Sequence, residues 1–138
     1  MATKQQRKFR SLVGKWKQRL WLREWYVDFD YVDTLGDDGN KWQTTASVAS
    51  KPQYRHALVT VAEDGVKEMS DVNMNRTACH EMVHVALSAY DNMCVEMMST
   101  LPVKAADAFE RWRWNEHESV TETLTSILLD AYKEKQSE

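Results

Sequence analysis

The spacing of hydrophobic residues divides the chain into a helical start, a strand-rich middle and a helical second half. Apolar side chains recur every three to four residues over residues 5–22, which predicts an amphipathic helix. The same period returns over residues 73–93 and again, after Pro102, over residues 103–133, and it predicts two further helices. The predicted buried face of the first helix consists of Phe9, Leu12, Val13, Trp16 and Leu20. The predicted buried faces of the later helices consist of Met82, Val83, Ala86, Ala89 and Tyr90, and of Val120, Leu124, Ile127, Leu128 and Ala131.

The middle of the chain has the composition of β-strands. Residues 25–32, 41–49 and 54–62 are rich in aromatic and β-branched side chains, and turn-forming residues separate them. Short connections of this kind predict an antiparallel meander. We therefore expect an α+β fold with a three-stranded, mostly antiparallel sheet. The 138 residues are expected to form a single domain, with segments 1–24 (basic helix), 25–62 (sheet), 73–93 and 103–133 (helices).

Charge is distributed unevenly along the chain. The formal net charge is −3, but residues 1–24 contain eight Lys or Arg and one Glu, a local net charge of +7. The remaining residues carry a net charge of −10. The basic helix over residues 1–23 is a candidate contact for DNA or another anionic partner, and a solvated helix face is the alternative interpretation.

The sequence contains no sign of a membrane or secreted protein. No apolar run approaches the ~18 residues of a membrane span, and no apolar stretch follows the basic start as in a secretory signal. Two cysteines, Cys79 and Cys94, are too few for a disulfide framework and are expected to be reduced thiols. We expect a cytoplasmic protein, which would act in the host cytoplasm if a phage encodes it.

The segment His80-Glu81-Met82-Val83-His84 matches H-E-x-x-H and lies within a predicted helix, as that motif requires. Residues four apart project from one face of a helix, so the rings of His80 and His84 can bind one zinc ion. Glu81 would lie beside the metal and act as general base, because zinc lowers the pKa of its water to about 7. A catalytic zinc site also needs a third protein ligand, and the last predicted helix offers Glu116, His117, Glu118 and Glu122.

The motif and its context resemble the small zinc metallopeptidases of phages and mobile elements, which are related to the ImmA/IrrE-type and SprT-like families. The resemblance extends over residues 20–132. H-E-x-x-H is its specific part, and Trp25-Tyr26-Val27 and Tyr54-Arg55-His56-Ala57 are weaker similarities. It implies a minimal zincin-like fold, with a short sheet, the H-E-x-x-H helix and a later helix that carries the third ligand.

The resemblance also implies the identity of that ligand. In the ImmA/IrrE-type pattern the third ligand is a Glu with a small residue at +3, and Glu118 with Thr121 fits this pattern. Glu122 stands where the family often has Asn, and it could accept a hydrogen bond from a ligating histidine. The SprT-like enzymes use a third His instead, so His117 remains the alternative ligand.

In zincins generally, the strand that precedes the active helix is a sheet edge and binds the substrate backbone. Residues 54–61 would be that strand here, and His56 would reach the cleft and stabilise an oxyanion. An exposed polar position on an alternating strand is the alternative interpretation of His56.

These features together predict a zinc-dependent metallopeptidase that cleaves a protein or peptide substrate. Two alternatives remain open. One is a DNA-associated protein with a structural zinc and a working basic helix. The other is a catalytically silent zincin that binds peptides without cleaving them.

Overall fold

In its described residues the chain forms one helix, then three strands, then three further helices. A computed structural model describes residues 1–35 and 45–133. The helices are α1 (Lys4–Arg19), α2 (Glu63–Val66), α3 (Asp71–Met98) and α4 (Val103–Ala131), and the strands are β1 (Tyr26–Val32), β2 (Ala46–Lys51) and β3 (His56–Ala62). A short 3₁₀ turn, Pro52–Tyr54, connects β2 to β3. The predicted α+β class is confirmed. The short helix α2 was not predicted, because its residues Glu63, Asp64 and Gly65 are typical of a turn.

The sheet is mixed, and its strand order is β1-β3-β2. β3 pairs with β1 in parallel and with β2 antiparallel. The prediction of an antiparallel meander is therefore wrong for β1. β3 occupies the centre because it is the most apolar strand, with Ala57, Val59 and Val61 fully buried. β2 starts later than predicted, and predicted strand residues 41–44 and turn residues 36–40 lie outside the described residues.

The core lies between the sheet, α1 and the first half of α3. Phe9, Val13 and Trp16 of α1 are fully buried, which confirms most of the predicted face of this helix. The side chain of Gln6 connects α1 to the sheet, because its amide donates hydrogen bonds to the carbonyls of Val32 (3.2 Å) and Val61 (3.1 Å). α1 is thereby held across the carboxyl ends of the two parallel strands.

The second half of α3 and the first half of α4 extend beyond the sheet. A helix of 28 residues is about 42 Å long, whereas a strand of seven residues spans about 23 Å. The sheet therefore covers only part of α3, and neither residues 86–98 nor residues 103–117 include a buried residue. We call these two segments the helical arm. The predicted burial of Ala86, Ala89 and Tyr90 is wrong for this reason, and the ring of Tyr90 is 68% exposed.

The predicted apolar stripe of α4 is also only partly buried. Val120 and Ile127 are exposed, whereas Thr121 and Thr125 are fully buried. Both threonine hydroxyls donate to the carbonyl four residues earlier in the helix, each at 2.7 Å, so neither buried hydroxyl is left without a partner. Small side chains at these two positions allow α4 to lie close to α3. No helix in the described part of the chain is both long and apolar enough to cross a membrane.

Candidate metal centre

The H-E-x-x-H motif lies near the middle of α3. Ser70 caps the N-terminus of this helix, and its hydroxyl accepts a hydrogen bond from the amide of Asn73 at 3.2 Å. Met82 and Val83 are buried against the core, so the opposite side of the helix presents His80 and His84 to a cleft. The two Nε2 atoms are 3.0 Å apart.

Glu118 of α4 reaches the same point from the other side of the cleft. Its carboxylate lies 3.3 Å from Nε2 of His84 and 3.8 Å from Nε2 of His80. In a tetrahedral zinc site with bonds of about 2.0–2.1 Å, neighbouring ligand atoms are about 3.3 Å apart. The distance between the two Nε2 atoms, that from Nε2 of His84 to Oε1 of Glu118 and that from Nε2 of His80 to Oε2 of Glu118 are all close to this value. Among the described residues, His80, His84 and Glu118 are the group that could hold a metal ion.

The other ring nitrogens of the two histidines have partners that leave both Nε2 lone pairs free. Nδ1 of His80 lies 2.6 Å from a carboxylate oxygen of Glu122, which can only accept a hydrogen bond, so Nδ1 carries the proton. Nδ1 of His84 lies 2.8 Å from Nε2 of His117, so a His84 ring that binds a metal through Nε2 can donate its Nδ1 proton to His117. Two unprotonated nitrogens and a carboxylate then face one another, an arrangement that a shared cation stabilises.

Each of these partners is held by a further ion pair. Arg76 donates to Glu122 at 2.8 Å, and this hydrogen bond is the main reason why the pKa of Glu122 is lowered. On the other side, Nδ1 of His117 lies 3.7 Å from the carboxylate of Asp91, which pairs with Arg113. The side chain of Arg113 is only 10% exposed, so this second pair is well shielded from water.

Burial perturbs the protonation of the groups at the centre. The pKa of Glu81, which is 7% exposed, is raised to about 8, mainly by burial and to a lesser extent by the charge of Glu118. The pKa of His84 is lowered to about 4 by burial, with His80 and His117 adding to the effect. A bound cation would lower the pKa of Glu81 again, because positive charge favours the carboxylate.

The cleft has a volume of about 460 Å³ and is open to solvent along one side. α3 and α4 supply one wall, which includes Glu81 and Trp114, and β2 supplies the other through Ala46, Val48 and their neighbours. β2 pairs with β3 only, so among the described residues its outer edge has no strand partner. The edge strand at this cleft is therefore β2, and the prediction that residues 54–61 form it is wrong.

His56 lies apart from the metal centre. Its Nε2 pairs with the carboxylate of Asp28 at 3.0 Å, and its ring stacks on Tyr26 with centroids 5.8 Å apart. It does not line the cleft. The expectation that His56 stabilises an oxyanion fails because Ala57 is buried, so the neighbouring His56 projects from the other face of β3, where it meets Asp28 of the adjacent strand β1.

The structure brings together six of the eight candidate residues: His80, Glu81, His84, His117, Glu118 and Glu122. Glu116, like His56, does not line the cleft. His117 lies behind His84, on its Nδ1 side, which argues against a role as the third ligand. Arg76, Asp91 and Arg113 were not predicted from the sequence. Helical spacing was the available signal, because Arg76 is four residues before His80 and Arg113 is four before His117.

Cys79, next to the motif, is fully buried, and burial raises the pKa of its thiol to about 11. A neutral buried thiol is a poor metal ligand, which leaves the three-ligand set unchanged.

No protein-family model, curated protein or solved structure that we compared with the chain matches it.

Proposed function

We propose that the protein is a zinc-dependent metallopeptidase in which His80, His84 and Glu118 hold the metal. The observation that carries the proposal is the convergence of the Nε2 atoms of His80 and His84 and the carboxylate of Glu118, with contacts of 3.0–3.8 Å, beside a buried glutamate. Two histidines and one glutamate form a recurring ligand set of catalytic zinc. Three protein ligands also suit a catalytic site better than a structural one, which usually has four.

Each residue at the centre has a defined task in peptide hydrolysis. Zinc, when bound, acts as a Lewis acid on the peptide carbonyl and lowers the pKa of water to about 7. Glu81 removes a proton from the attacking water and delivers it to the leaving amine nitrogen. Its burial keeps the carboxylate out of bulk solvent, so that the proton passes to the amine. Glu122 and His117 hold the rings of His80 and His84 in the orientation that directs both Nε2 atoms to the metal.

The shape of the cleft favours an extended polypeptide as substrate. The outer edge of β2 offers backbone N–H and C=O groups along the wall that faces the metal ligands. A peptide that adds as a further strand satisfies these groups and carries its carbonyls past the metal ligands. The cleft is open at the side, so the substrate need not present a free terminus.

The test is Glu81→Gln, which removes the base but keeps the size of the side chain. Wild-type protein prepared without chelator should contain about one zinc per chain and cleave a protein or peptide library. Glu81→Gln should retain the zinc and lose about 10²- to 10⁴-fold in cleavage rate. Metal content is measured by atomic spectroscopy, and cleavage by mass spectrometry.

Glu96→Gln is the matched control, because Glu96 lies on the same helix and is exposed outside the cleft. It should leave zinc content and cleavage rate unchanged. Protein that neither contains zinc nor gains thermal stability from added zinc would refute the proposal. Zinc-loaded protein that binds peptides but cleaves none would instead identify a catalytically silent peptide-binding protein.

A further inference from the structure

A group of exposed aromatic and arginine side chains lies at the end of the sheet where β1 and β3 begin. It consists of Trp21, Arg23, Tyr26, Tyr54 and Arg55, and we call it the aromatic–arginine patch. Tyr26 is the first residue of β1, and its amide donates to the carbonyl of Arg55 at 2.8 Å, so the two chain segments are joined here. None of these residues lines the metal cleft.

The aromatic rings of the patch contribute little to the core. Trp21, Tyr54 and Tyr26 are 78%, 75% and 65% exposed. Single exposed hydrophobic residues are common on protein surfaces, but three large rings at one end of a sheet are not. His56 stacks on one face of Tyr26 and Arg23 lies over one face of Trp21, and the exposed remainder of the three rings is available to a partner.

Two residues of the patch have a backbone conformation that disfavours their side chains. Trp21 has φ 62° and Arg55 has φ 48°, and these are the non-glycine residues with positive φ in the described chain. Trp21 follows the end of α1, a position where glycine is the usual residue. A bulky side chain that is strained, exposed and without a packing role indicates a function at that position.

The arginines add positive charge next to the rings. The guanidinium of Arg23 lies over the ring of Trp21, 4.9 Å from its centroid, and Arg55 pairs with Glu24 at the surface. Trp21, Arg23, Glu24, Trp25 and Arg55 line a shallow depression of about 390 Å³. Residues 15–24, which lead into the patch, contain four basic residues and one acidic residue. The segment that leads into the patch is therefore basic, and at the depression itself the two guanidinium groups of Arg23 and Arg55 accompany one carboxylate, that of Glu24.

We propose that the aromatic–arginine patch binds single-stranded nucleic acid. Exposed rings accept unpaired bases by stacking whatever the base, and arginine binds the phosphates and also stacks. A duplex offers no free base faces to these rings, so single strands are preferred. The cationic surroundings favour a polyanion over a neutral apolar partner. This inference does not depend on the metal centre.

The test measures binding of labelled dT20 and rU20 oligonucleotides to the full chain by fluorescence anisotropy at several salt concentrations. Trp21→Gly should weaken binding about 5- to 100-fold, because stacking on one ring is lost. Arg23→Ala with Arg55→Ala should lower the slope of log affinity against log salt by about 1.4, since each phosphate contact contributes about 0.7. Glu24→Gln should strengthen binding, because it removes the negative charge beside Arg55.

Trp112→Ala and Arg111→Ala are matched controls, since both residues are exposed on α4 and lie outside the patch. Both should bind oligonucleotides like the wild type. Trp21→Gly should fold normally because glycine adopts positive φ without strain. Trp21→Asn also removes the aromatic ring, and asparagine is a second residue that tolerates positive φ. Absence of single-strand binding at low salt, equal binding of a duplex, or equal losses in patch and control variants would each overturn the proposal.

Discussion

Single side chains outside the proposed ligand set orient the rings of the two histidines. If His84 binds a metal through Nε2, its proton is on Nδ1 and can be donated to His117, which is itself held near Asp91. In the same way, Nδ1 of His80 donates a hydrogen bond to the carboxylate of Glu122. Each pair keeps one ring in the required tautomer and orientation, which is what metal-bound histidines generally need.

Zinc titrations of three variants distinguish the third ligand from the residue behind His84. Glu118→Gln removes a carboxylate ligand and should cost more than the ~10- to 100-fold loss that follows removal of an outer hydrogen-bond partner. His117→Leu should lower zinc affinity by that ~10- to 100-fold, because the Nδ1–H of His84 loses its acceptor. His117→Gln should restore most of the affinity, since its amide oxygen accepts the same hydrogen bond.

The affinities are measured by competition with a chelator of known zinc affinity. Wild-type affinity in Glu118→Gln, or equal losses in Glu118→Gln and His117→Gln, would show that the ligand assignment is wrong. His56→Leu is the control, because His56 pairs with Asp28 on the far side of the sheet and should not affect zinc.

At the scale of elements, the short helix α2 determines where the cleft strand begins. A Cβ atom on Gly65 of α2 would lie 2.5 Å from the Cα atom of Thr45, the residue before β2. The carbonyl of Thr45 also accepts a hydrogen bond from the amide of Ala62 at 2.9 Å. The close approach of α2 to this backbone therefore requires glycine, and it sets the start of the edge strand that lines the cleft.

Two Gly→Ala substitutions should have opposite effects on stability. Gly65→Ala places a methyl group against backbone and should lower the free energy of unfolding by about 1–3 kcal/mol. At Gly14, which is exposed in α1, an added Cβ meets no atom within 4 Å. Gly14→Ala should therefore raise the free energy of unfolding by up to about 1 kcal/mol, the difference in helix propensity. Denaturant unfolding measures the free energy of unfolding of both variants. An unchanged value for Gly65→Ala would mean that α2 does not pack so closely against residue 45.

At the scale of the whole molecule, the proposed ligands come from two helices that ion pairs already join, Arg76 with Glu122 and Arg113 with Asp91. His80 and His84 belong to α3, which is anchored in the core, whereas Glu118 belongs to α4, whose fully buried residues are Thr121 and Thr125. A metal ion would link α4 to the rest of the domain. The helical arm begins directly beyond this link.

Zinc should therefore stabilise the folded chain and hold α4 in place. Free zinc at 100 times its dissociation constant should add about 2.7 kcal/mol to the free energy of unfolding, because the metal binds the folded state alone. Thermal unfolding with and without zinc measures the effect, and chelator should reverse it. His80→Ala should show no such gain. An unchanged melting temperature of the wild type in zinc would contradict the proposed centre.

The local pattern of hydrophobic and polar residues was sufficient to predict most of the helices and strands and most residues of the candidate site. The apolar spacing of α1 identified Phe9, Val13 and Trp16, and H-E-x-x-H on a helix predicted that His80, Glu81 and His84 meet at one site, because both depend on the 3.6-residue period alone. The prediction that the apolar faces of α3 and α4 are buried was wrong in part. Periodicity shows which side of a helix is apolar, but it does not show how far the neighbouring sheet extends.

Tertiary structure decided the pairing of elements and the roles that depend on it. The parallel pairing of β1 with β3 made β2 the cleft strand and separated His56 from the site, and turn signals do not encode which strands become neighbours. The choice between Glu118 and His117 depended on how α4 packs against α3, because adjacent residues of a helix point about 100° apart. The sequence by itself determined which residues could bind a metal. The packing of two helices determined which of them face the same point.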